Sequence, residues 1–317
     1  MAFKIAMLGM VDGNGHPYSW SAMYNNYDKT EMENCPFPVI PRYLEKEPQC
    51  NFGIFDAKVT HIWCDDRADA EKVAKASLIP NVVNKAEDVI GQVDAAIIAT
   101  DKGDEHIWRA EPFVKAGLPV FIDKPLADNV EDLRTICKWV KSGARIMSSS
   151  SLRYTKEFTP YFISTNELGE LRYINMTMNK SWERYGIHAL EPVYCITGPG
   201  YVSVQHTGDE TNALIHLVHK NGTHVHLAVI YDMAASALKL VGTKDSVTVS
   251  LKDSYYAFKK QLVEFTAFAK GAEAPYPFSE TVELMLIVIA GIRSRNEGGR
   301  VVKLDEIRNE LGDDIIL

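Results

Sequence analysis

Short apolar runs alternate with amphipathic segments through the first 150 residues, and this alternation limits the fold more than any other feature. A short apolar run between polar segments is typical of a strand buried on both faces. Strand–helix–strand repetition of this kind produces a parallel sheet with helices on both sides. The first half therefore predicts a doubly wound α/β domain. Its predicted strands are Phe3–Leu8, Val59–Cys64, Ala95–Ala99, Val120–Ile122 and Arg145–Met147.

The predicted helices of this half lie between its strands. Asp69–Ser77 is rich in alanine and lysine, and Glu105–Ala116 contains Pro112, which predicts a kink. Asp128 and Glu131 have the spacing of a capping box, in which two side chains satisfy the first free amide groups of a helix. We therefore expect a further helix to begin directly after Asp128.

Residues 34–48 interrupt the alternation with four prolines. Proline lacks an amide hydrogen and fixes its own φ, so a cluster of prolines disfavours regular structure. We therefore predict an irregular insertion before the second strand, which could form part of a cover over the substrate.

From about residue 150 the sequence changes to period-two alternation, which is typical of strands with one buried face. Asn221-Gly222 lies between two such strands and predicts a hairpin turn. Two helices, Tyr255–Lys270 and Ser279–Arg293, are predicted to close the chain. We expect an α/β domain over residues 1–149, followed over residues 150–317 by an α+β domain with an open, largely antiparallel sheet. Its predicted strands are Leu171–Met178, Leu214–His219, His224–Val229, Ala237–Val241 and Val247–Leu251.

Charge and hydropathy disfavour several classes of protein. With 34 basic and 42 acidic residues the net charge is −8, which disfavours general binding to nucleic-acid backbones. The longest apolar run, Leu284–Ile292, is about half as long as the ~20 residues that a membrane-spanning helix requires. The 5 cysteines are dispersed and form no Cys-x-x-Cys pair, so we expect no disulfide framework and no zinc site. The sequence predicts a cytoplasmic protein that binds neither membrane nor nucleic acid.

A glycine-rich turn over residues 9–15 follows the first predicted strand. A glycine there lets backbone amides approach a pyrophosphate, which the N-terminus of the next helix also attracts. The spacing is not Gly-x-Gly-x-x-Gly, because Val11 occupies the second glycine position. An ordinary glycine-rich turn is therefore an equally good interpretation.

Two carboxylates, Asp65 and Asp66, follow the second predicted strand. A carboxylate at this edge of the sheet can accept both ribose hydroxyl groups of an adenosine, and it repels a 2′-phosphate. One of the two could instead cap the next helix. The pattern favours NAD, while Arg67 leaves NADP open as an alternative cofactor.

Lys124 and His188 are the candidate catalytic residues. Lys124 follows a strand at the carboxyl edge of the sheet, where such sheets bind ligands, and a nearby cationic nicotinamide would lower the pKa of its ammonium group. Histidine titrates near neutral pH, so His188 could move the proton that accompanies a hydride, with Glu191 one turn away to orient it. The alternatives are a surface lysine ahead of a turn and a histidine that caps or packs.

Four histidines fall on the two arms of the predicted hairpin: His216, His219, His224 and His226. With a two-residue turn, His219 would face His224 across the ladder and His226 would face Leu217. A pair is too few for a typical zinc site, which needs three or four ligands. We interpret these residues as part of a sheet surface or a subunit contact, and we expect no metal site.

Together these motifs resemble the glucose–fructose oxidoreductase/inositol dehydrogenase group, the Gfo/Idh/MocA family of NAD(P)-dependent oxidoreductases. The resemblance covers nearly the whole chain in the family's order. It implies a Rossmann domain followed by a substrate domain whose sheet commonly forms a subunit interface. The matching segments are Val93–Thr100 with His106, Ala116–Pro125 with its Asp123-Lys124-Pro125 signature, Gly186–His188, and Ala290–Ser294 with Gly298, Gly299 and Val302.

The resemblance also implies a reaction and roles for residues. The reaction is hydride transfer between a nicotinamide and a carbon that carries a hydroxyl group, on a sugar, cyclitol or related polyol. Lys124 would hydrogen-bond the reacting oxygen, and His188 would act as general acid/base. The cofactor would be lined by Gly9, Met10, Asp65, Thr100, Asp101, His106, Asp123 and Lys124.

Two positions depart from the family pattern. Asp123 stands where glutamate is usual, which retains the charge. Arg184 stands four residues before His188, where many relatives carry an aspartate. Either Glu183 or Glu191 replaces this aspartate in proton transfer to and from His188, or Arg184 binds an anionic group of the substrate. The predicted substrate-binding residues are Arg153, Tyr154, Trp182 and Arg184, with Trp20 and Tyr185 as further aromatic candidates that could equally be core.

The main hypothesis is an NAD-dependent dehydrogenase or reductase of a sugar-like polyol that assembles as a homo-oligomer, a dimer or a tetramer. One alternative is a redox-neutral lyase or hydrolase that recycles a tightly bound NAD, and a tightly retained nicotinamide would support it. The other is a regulator that senses the cofactor without catalysis. The presence of both Lys124 and His188 argues against that second alternative.

Overall fold

A six-stranded, fully parallel sheet forms the first part of the molecule. The structure is a computed structural model, which describes residues 2–233 and 237–312 of the whole chain. The strands of this sheet are β1 (Phe3–Leu8), β2 (Ala57–Trp63), β3 (Asn81–Val82), β4 (Ala95–Ile98), β5 (Val120–Ile122) and β6 (Ile146–Met147). The order β3-β2-β1-β4-β5-β6 places β1 between β2 and β4. The order in which successive strands are added to the sheet reverses between β1 and β4, and doubly wound sheets bind their ligands at this point.

Six helices flank this sheet, and the predicted doubly wound architecture is confirmed. They are α1 (His16–Asn25), α2 (Lys29–Glu33), α3 (Val39–Leu44), α4 (Arg67–Ala76), α5 (His106–Lys115) and α6 (Val130–Lys141). The predicted cap of α6 is wrong by one residue. Asn129 accepts a hydrogen bond from the amide of Asp132 at 2.9 Å, because this pair has the same spacing as Asp128 and Glu131 and lies one residue further along.

The proline-rich insertion packs against α1. The prediction that it is irregular is wrong for α3, because Pro38 precedes this helix and Pro41 lies in its first turn, where a missing amide hydrogen removes no helical bond. Ile40 and Leu44 are buried in the same apolar cluster as the core of α1. This cover explains why α1 is buried from Pro17 to Tyr24 without an exposed polar face.

The second part of the molecule is built on a mixed, largely antiparallel sheet of seven strands. Its order is β12-β11-β7-β10-β9-β8-β13, and only β7 and β10 run parallel, which confirms the predicted α+β class. Its elements are α7 (Thr159–Ile163), β7 (Leu171–Asn179), α8 (Trp182–Thr197), β8 (Tyr201–Gly208), β9 (Asn212–His219), β10 (His224–Ile230), β11 (Ala237–Gly242), β12 (Ser246–Ser250), α9 (Ser254–Ala269), α10 (Phe278–Asn296), β13 (Val302–Lys303) and α11 (Leu304–Leu311).

The hairpin between β9 and β10 is present, but its predicted register is wrong. The amide of His219 donates to the carbonyl of Thr223 at 3.1 Å, so residues 220–222 form a three-residue turn with Gly222 at φ +86°. As a result His226 lies opposite His216, and its ring stacks on that of His216 at 4.5 Å. In the described part of the chain, no three His, Cys, Asp or Glu residues are grouped to hold a metal ion.

The apolar core crosses the predicted boundary between the two domains. Ile5 and Met7 face one side of the first sheet, and they share a cluster with Leu262 and Phe265 of α9. Helix α9 therefore covers a face of the N-terminal sheet, although it belongs to the second half of the chain. Within residues 2–233 and 237–312, no helix is both long and apolar enough to cross a membrane.

Trp182 fixes the contact between α8 and α10. Its indole is fully buried and donates to the carbonyl of Val288 at 2.9 Å. Gly186 and Gly291 make room for it, because a Cβ on either would stand 2.3 Å and 2.5 Å, respectively, from an indole atom. Small residues on both helices are thus required by one large side chain.

Replacing Gly186 with alanine should destabilise the protein by about 1–3 kcal/mol, because the added methyl group collides with a fully buried indole. Urea unfolding measures the change. Lys138→Ala, on the exposed side of α6, is the control and should have little effect. A neutral or stabilising Gly186→Ala would contradict this packing, since alanine is otherwise the better helix former.

Candidate active site

The glycine-rich turn brings the ends of β1 and β4 into close contact. Gly9 has φ +85°, and a Cβ there would stand 2.7 Å from Cγ2 of Thr100. The turn leads directly into α1, whose first residue is His16 and whose N-cap is Gly15. Backbone amides and a helix N-terminus thus meet at the carboxyl edge of the sheet, which is an arrangement that suits a pyrophosphate. Met10 is half-buried and packs against the apolar cluster below.

The two carboxylates after β2 have different environments. Asp66 caps α4 by accepting from the amide of Ala68 at 2.8 Å. Asp65 is about half exposed, and its carboxylate contacts Arg109 at 3.0 Å. The side chain of Asp65 therefore remains at the surface of the crevice, where a ribose could reach it. The side chain of Arg67 forms an ion pair with Glu71, with Nε 2.9 Å from Oε1.

Arg109 is a site residue that the sequence did not reveal. Its guanidinium joins Asp65 to Glu105, which lies 2.7 Å away, and its Nη1 would lie 3.2 Å from a Cβ on Gly9. The arginine lies in the middle of α5 without a motif around it, so no sequence signal distinguishes it from an exposed helical arginine.

His106 ties together two turns at the carboxyl edge. Its Nε2 contacts the carbonyl of Thr100 at 2.8 Å, and its Nδ1 contacts the carbonyl of Leu126 at 3.1 Å. The ring therefore holds the turn after β4 against the turn after β5. Thr100 and His106 are both fully buried, and their predicted contact with a cofactor stays a prediction.

Lys124 lies at the centre of the crevice. It is buried, with Nζ 3.3 Å from Oδ2 of Asp101 and 4.6 Å from the centre of the Tyr185 ring. Burial alone would lower the pKa of the ammonium, but the carboxylates of Asp123 and Asp101 outweigh burial and raise it. The pKa therefore moves opposite to the direction expected beside a nicotinamide, and Lys124 is a charged hydrogen-bond donor.

Arg184 connects the second domain to this crevice. Its Nη2 lies 2.5 Å from Oδ1 of Asp101 and donates to the carbonyl of Asp12 at 2.9 Å. Burial alone would raise the pKa of Asp101, but Lys124 and Arg184 hold it well below its usual range. One buried carboxylate thus forms ion pairs with two cationic side chains from different domains.

Lys180 also reaches the glycine-rich turn from the second domain. Its Nζ donates to the carbonyl of Gly13 at 2.9 Å and to the hydroxyl of Tyr185 at 2.7 Å. Its backbone has φ +63°, a conformation that non-glycine residues seldom adopt. This lysine was not among the predicted site residues, because nothing in the spacing marks a residue between a strand and a helix.

Asp123 is held by the beginning of α1. Its Oδ2 lies 2.6 Å from Nδ1 of His16 and accepts from Nδ2 of Asn14 at 3.0 Å. Its Oδ1 accepts from the amide of Lys124 at 2.7 Å. The His16 ring stacks on Trp20 with ring centres 4.1 Å apart. His16 was not among the predicted site residues, although the dipeptide Gly15-His16 at a helix start was available as a signal.

His188 faces the same crevice from α8. Its Nδ1 lies 2.6 Å from Oγ of Ser150, and its ring meets Tyr185 edge-on at 4.8 Å. Burial, and next the charge of Lys124, lower the pKa of His188 well below its ordinary value. The imidazole is therefore neutral at physiological pH.

Of the two acids considered for proton transfer, only Glu191 lies close to His188. It accepts from the amide of Ser150 and from Nε of Arg153 at 2.6 Å, so it positions the serine that contacts His188. Glu183 pairs instead with Arg295 at 2.5 Å.

The predicted substrate-binding residues separate into two groups. Arg184 lies in the crevice with Lys124. Arg153 lies behind it, between Glu191 and Glu280, over the ring of Tyr276 at 3.9 Å. Tyr154 has its hydroxyl buried, and Trp182 exposes no surface. Substrate contact for these three stays a prediction, and the position of Trp182 in the core disfavours it.

Residues 3–150 match the model of the GFO_IDH_MocA group, described as an oxidoreductase family with an NAD-binding Rossmann fold. This N-terminal part of the chain is similar to the Gfo/Idh/MocA family. The match confirms the resemblance found in the sequence, and it identifies NAD as the cofactor of this fold. No functionally curated protein has a significantly similar sequence.

Several solved structures have the same fold over almost the whole chain. A Sinorhizobium meliloti protein, provisionally described as a myo-inositol dehydrogenase, has a TM-score of 0.74 and 18% identity, covering 96% of this chain and 100% of its own. Myo-inositol dehydrogenase from Corynebacterium glutamicum has a TM-score of 0.71 and 16% identity, covering 96% and 99%. Myo-inositol dehydrogenase from Lactobacillus casei, solved with NAD(H) and myo-inositol, has a TM-score of 0.73 and 15% identity, covering 96% and 97%. At these identities the likeness shows the fold.

Stability should depend on pH through His188. In the unfolded chain a histidine takes up a proton below about pH 6.5, whereas the folded protein keeps His188 neutral to lower pH. Its contribution to stability is therefore complete above about pH 6.5 and is lost as the pH falls below that value.

We expect the free energy of unfolding to fall between pH 7 and pH 5, and the fall should be smaller in His188→Asn by up to about 1.4 kcal/mol per pH unit. Urea unfolding at several pH values measures this slope. Burial also lowers the pKa values of His61 and His206, and these two residues contribute equally to the pH dependence of the wild type and the variant. Equal slopes would show that His188 takes up a proton in the folded state.

Proposed function

We propose that this protein is an NAD-dependent dehydrogenase or reductase that transfers a hydride between NAD and a hydroxyl-bearing carbon of a sugar-like polyol. The observation that carries the proposal is that Lys124 and His188, from different domains, both contact Tyr185 at the carboxyl edge of the sheet. Bound NAD would supply the carbon that accepts or donates the hydride.

The residues of the N-terminal domain fit such a cofactor. Gly9 leaves no room for a side chain, the N-terminus of α1 offers amides for a pyrophosphate, and Asp65 offers a carboxylate for a ribose. Asp123, Lys124 and Asp101 stand where the reactive end would lie. The charged Lys124 would hydrogen-bond the reacting oxygen and stabilise the negative charge that develops there.

The solved relatives favour a polyol as the substrate. One of them is a myo-inositol dehydrogenase that binds NAD(H) and myo-inositol in its crystal structure. We infer a polyhydroxylated ring or chain for this protein as well. A redox-neutral reaction would require NAD to stay bound through purification, and a non-catalytic regulator would not need Lys124 buried among charges.

We also propose a homo-oligomer, a dimer or a tetramer, that forms through the second sheet. Helices α8 and α10 pack on this sheet, and buried residues alternate with more exposed ones along β7, β9 and β10, so one face of the sheet is buried and the other is partly open. The more open face carries Leu214, which is 48% exposed, together with the stacked rings of His216 and His226. A cytoplasmic location and the domain limits 1–149 and 150–317 are also part of this proposal, and residues 1, 234–236 and 313–317 lie outside the described ranges.

Removing the ammonium group of Lys124 should abolish most of the activity while cofactor binding persists. We expect Lys124→Ala to lower kcat/KM by about 100-fold or more, with the Kd for NADH changed only a few-fold. NADH fluorescence titration and NAD⁺ reduction with myo-inositol and other polyols measure the two quantities. Lys115→Ala, on the exposed end of α5, is the control. Unchanged turnover in Lys124→Ala would remove the basis of this proposal.

Asp65 and Asp66 form a matched pair for testing cofactor recognition. Asp65→Asn should weaken NADH binding by about tenfold and improve NADPH binding, because it removes a charge that repels a 2′-phosphate. Asp66→Asn should leave the ratio of the two Kd values unchanged, because Asp66 caps α4. Calorimetric titration of both variants measures these affinities. A larger change in the ratio for Asp66→Asn than for Asp65→Asn would show that Asp66, and not Asp65, recognises the ribose.

A further inference from the structure

We propose that His16, held by Asp123, accepts the proton of the substrate hydroxyl, while His188 donates a hydrogen bond to the same oxygen. The inference rests on the proposed dehydrogenase function and concerns which residue moves the proton. It is carried by the different hydrogen-bond partners of the two imidazoles.

The partners of His16 fix its tautomer. Nδ1 lies 2.6 Å from Oδ2 of Asp123, and a carboxylate at this distance can only accept, so Nδ1 carries the hydrogen. Asn14 donates to the same oxygen and the amide of Lys124 donates to the other, so both carboxylate oxygens of Asp123 act as acceptors and the group is held in place. The lone pair of His16 therefore lies on Nε2, and no described residue hydrogen-bonds this atom.

His188 has the opposite arrangement. Oγ of Ser150 already accepts from the amide of Leu152 at 3.0 Å, as the cap of a short helix. Its hydroxyl hydrogen is free to be donated, and Nδ1 of His188 lies 2.6 Å away to accept it. A neutral His188 then carries its hydrogen on Nε2, where it can donate but cannot accept.

The other charged groups of the crevice are poor proton acceptors. Lys124 is an ammonium, since the neighbouring carboxylates raise its pKa. Asp101 is bonded to both Lys124 and Arg184, which lower its pKa, and both oxygens of Asp123 accept hydrogen bonds. Nε2 of His16 is the remaining basic lone pair in the described crevice.

His16 shares the crevice with these groups. A positive charge on its imidazole would lower the pKa of both His188 and Asp101. Asp123 is the carboxylate in contact with it, α9 contributes the apolar ring of Phe258 at 5.3 Å, and its own helix contributes Trp20. The imidazole is thus held on three sides, by Asp123, Trp20 and Phe258.

The step balances in the oxidation direction. The carbon–hydrogen bond of the substrate breaks and its two electrons pass with the hydride to NAD⁺. The oxygen–hydrogen bond breaks and its proton passes to Nε2 of His16, leaving a ketone, NADH and an imidazolium that Asp123 stabilises. In the reduction direction the same imidazolium returns the proton.

The tautomers can be measured without a substrate. We expect ¹H–¹⁵N correlation spectra of ¹⁵N-histidine-labelled protein at pH 7 to show His16 with hydrogen on Nδ1 and His188 with hydrogen on Nε2. His16→Asn and His188→Asn assign the two signals. A His16 ring with hydrogen on Nε2 would overturn the proposal, whatever the enzyme acts on.

The pH profile tests the role in turnover, with NAD⁺ and myo-inositol as the first probe and other polyols after it. His16→Asn retains an N–H donor near Asp123 but has no proton acceptor. We expect kcat/KM for oxidation to fall by 100-fold or more and to lose its decline toward acidic pH, with the Kd for NADH unchanged. His188→Asn should lower the rate but retain that decline.

The two variants distinguish the outcomes. If His188→Asn loses the acidic decline and His16→Asn keeps it, His188 is the proton acceptor and the inference is wrong. If the wild type binds no NADH and oxidises no polyol, the proposed function fails, and the tautomers still decide whether His16 is built as an acceptor.

Discussion

The active site depends on one buried carboxylate, Asp101, which neutralises Lys124 from its own domain and Arg184 from the other. A buried charge without its partner costs about 3–5 kcal/mol, so these three residues must be brought together as the two domains pack. The same requirement explains the presence of Arg184, which departs from the aspartate that the family resemblance implied at this position. With Asp101 already supplying the negative charge, an arginine at the start of α8 completes the pairing across the crevice. The position of α8, and with it of Tyr185 and His188, follows from this contact.

Much of the fold was predictable because strands that are buried on both faces must be apolar throughout. Strands β1 and β5 have the predicted limits, and β2, β4 and β6 differ by one or two residues. The errors arose where local geometry broke the pattern. Strand β8 was missed because a bulge between Tyr201 and Ser203 interrupts its period of two. The hairpin register was wrong because sequence indicates a turn at Asn221-Gly222 but does not fix its length.

The candidate site was predictable where a residue follows a strand. Lys124 and Asp65 could be found because parallel strands end at one edge, Asp101 because of the resemblance to a known family, and His188 because of its motif. The contacts that give these residues their chemistry could not be found in this way. His16 with Asp123, Arg109 with Asp65, and Lys180 with Gly13 each join segments far apart in sequence. Such pairs depend on tertiary packing, and a single sequence contains no pattern that reports them.

The packing of α9 on the first sheet affects how the chain acquires its structure during synthesis. Ile5 and Met7 are translated long before Leu262 and Phe265, which belong to the same apolar cluster. This cluster is therefore incomplete in the nascent chain until α9 has been translated. The two domains are units of architecture but not of folding. A fragment that ends at the sequence boundary near residue 150 would carry the cofactor-binding turn on an unfinished core.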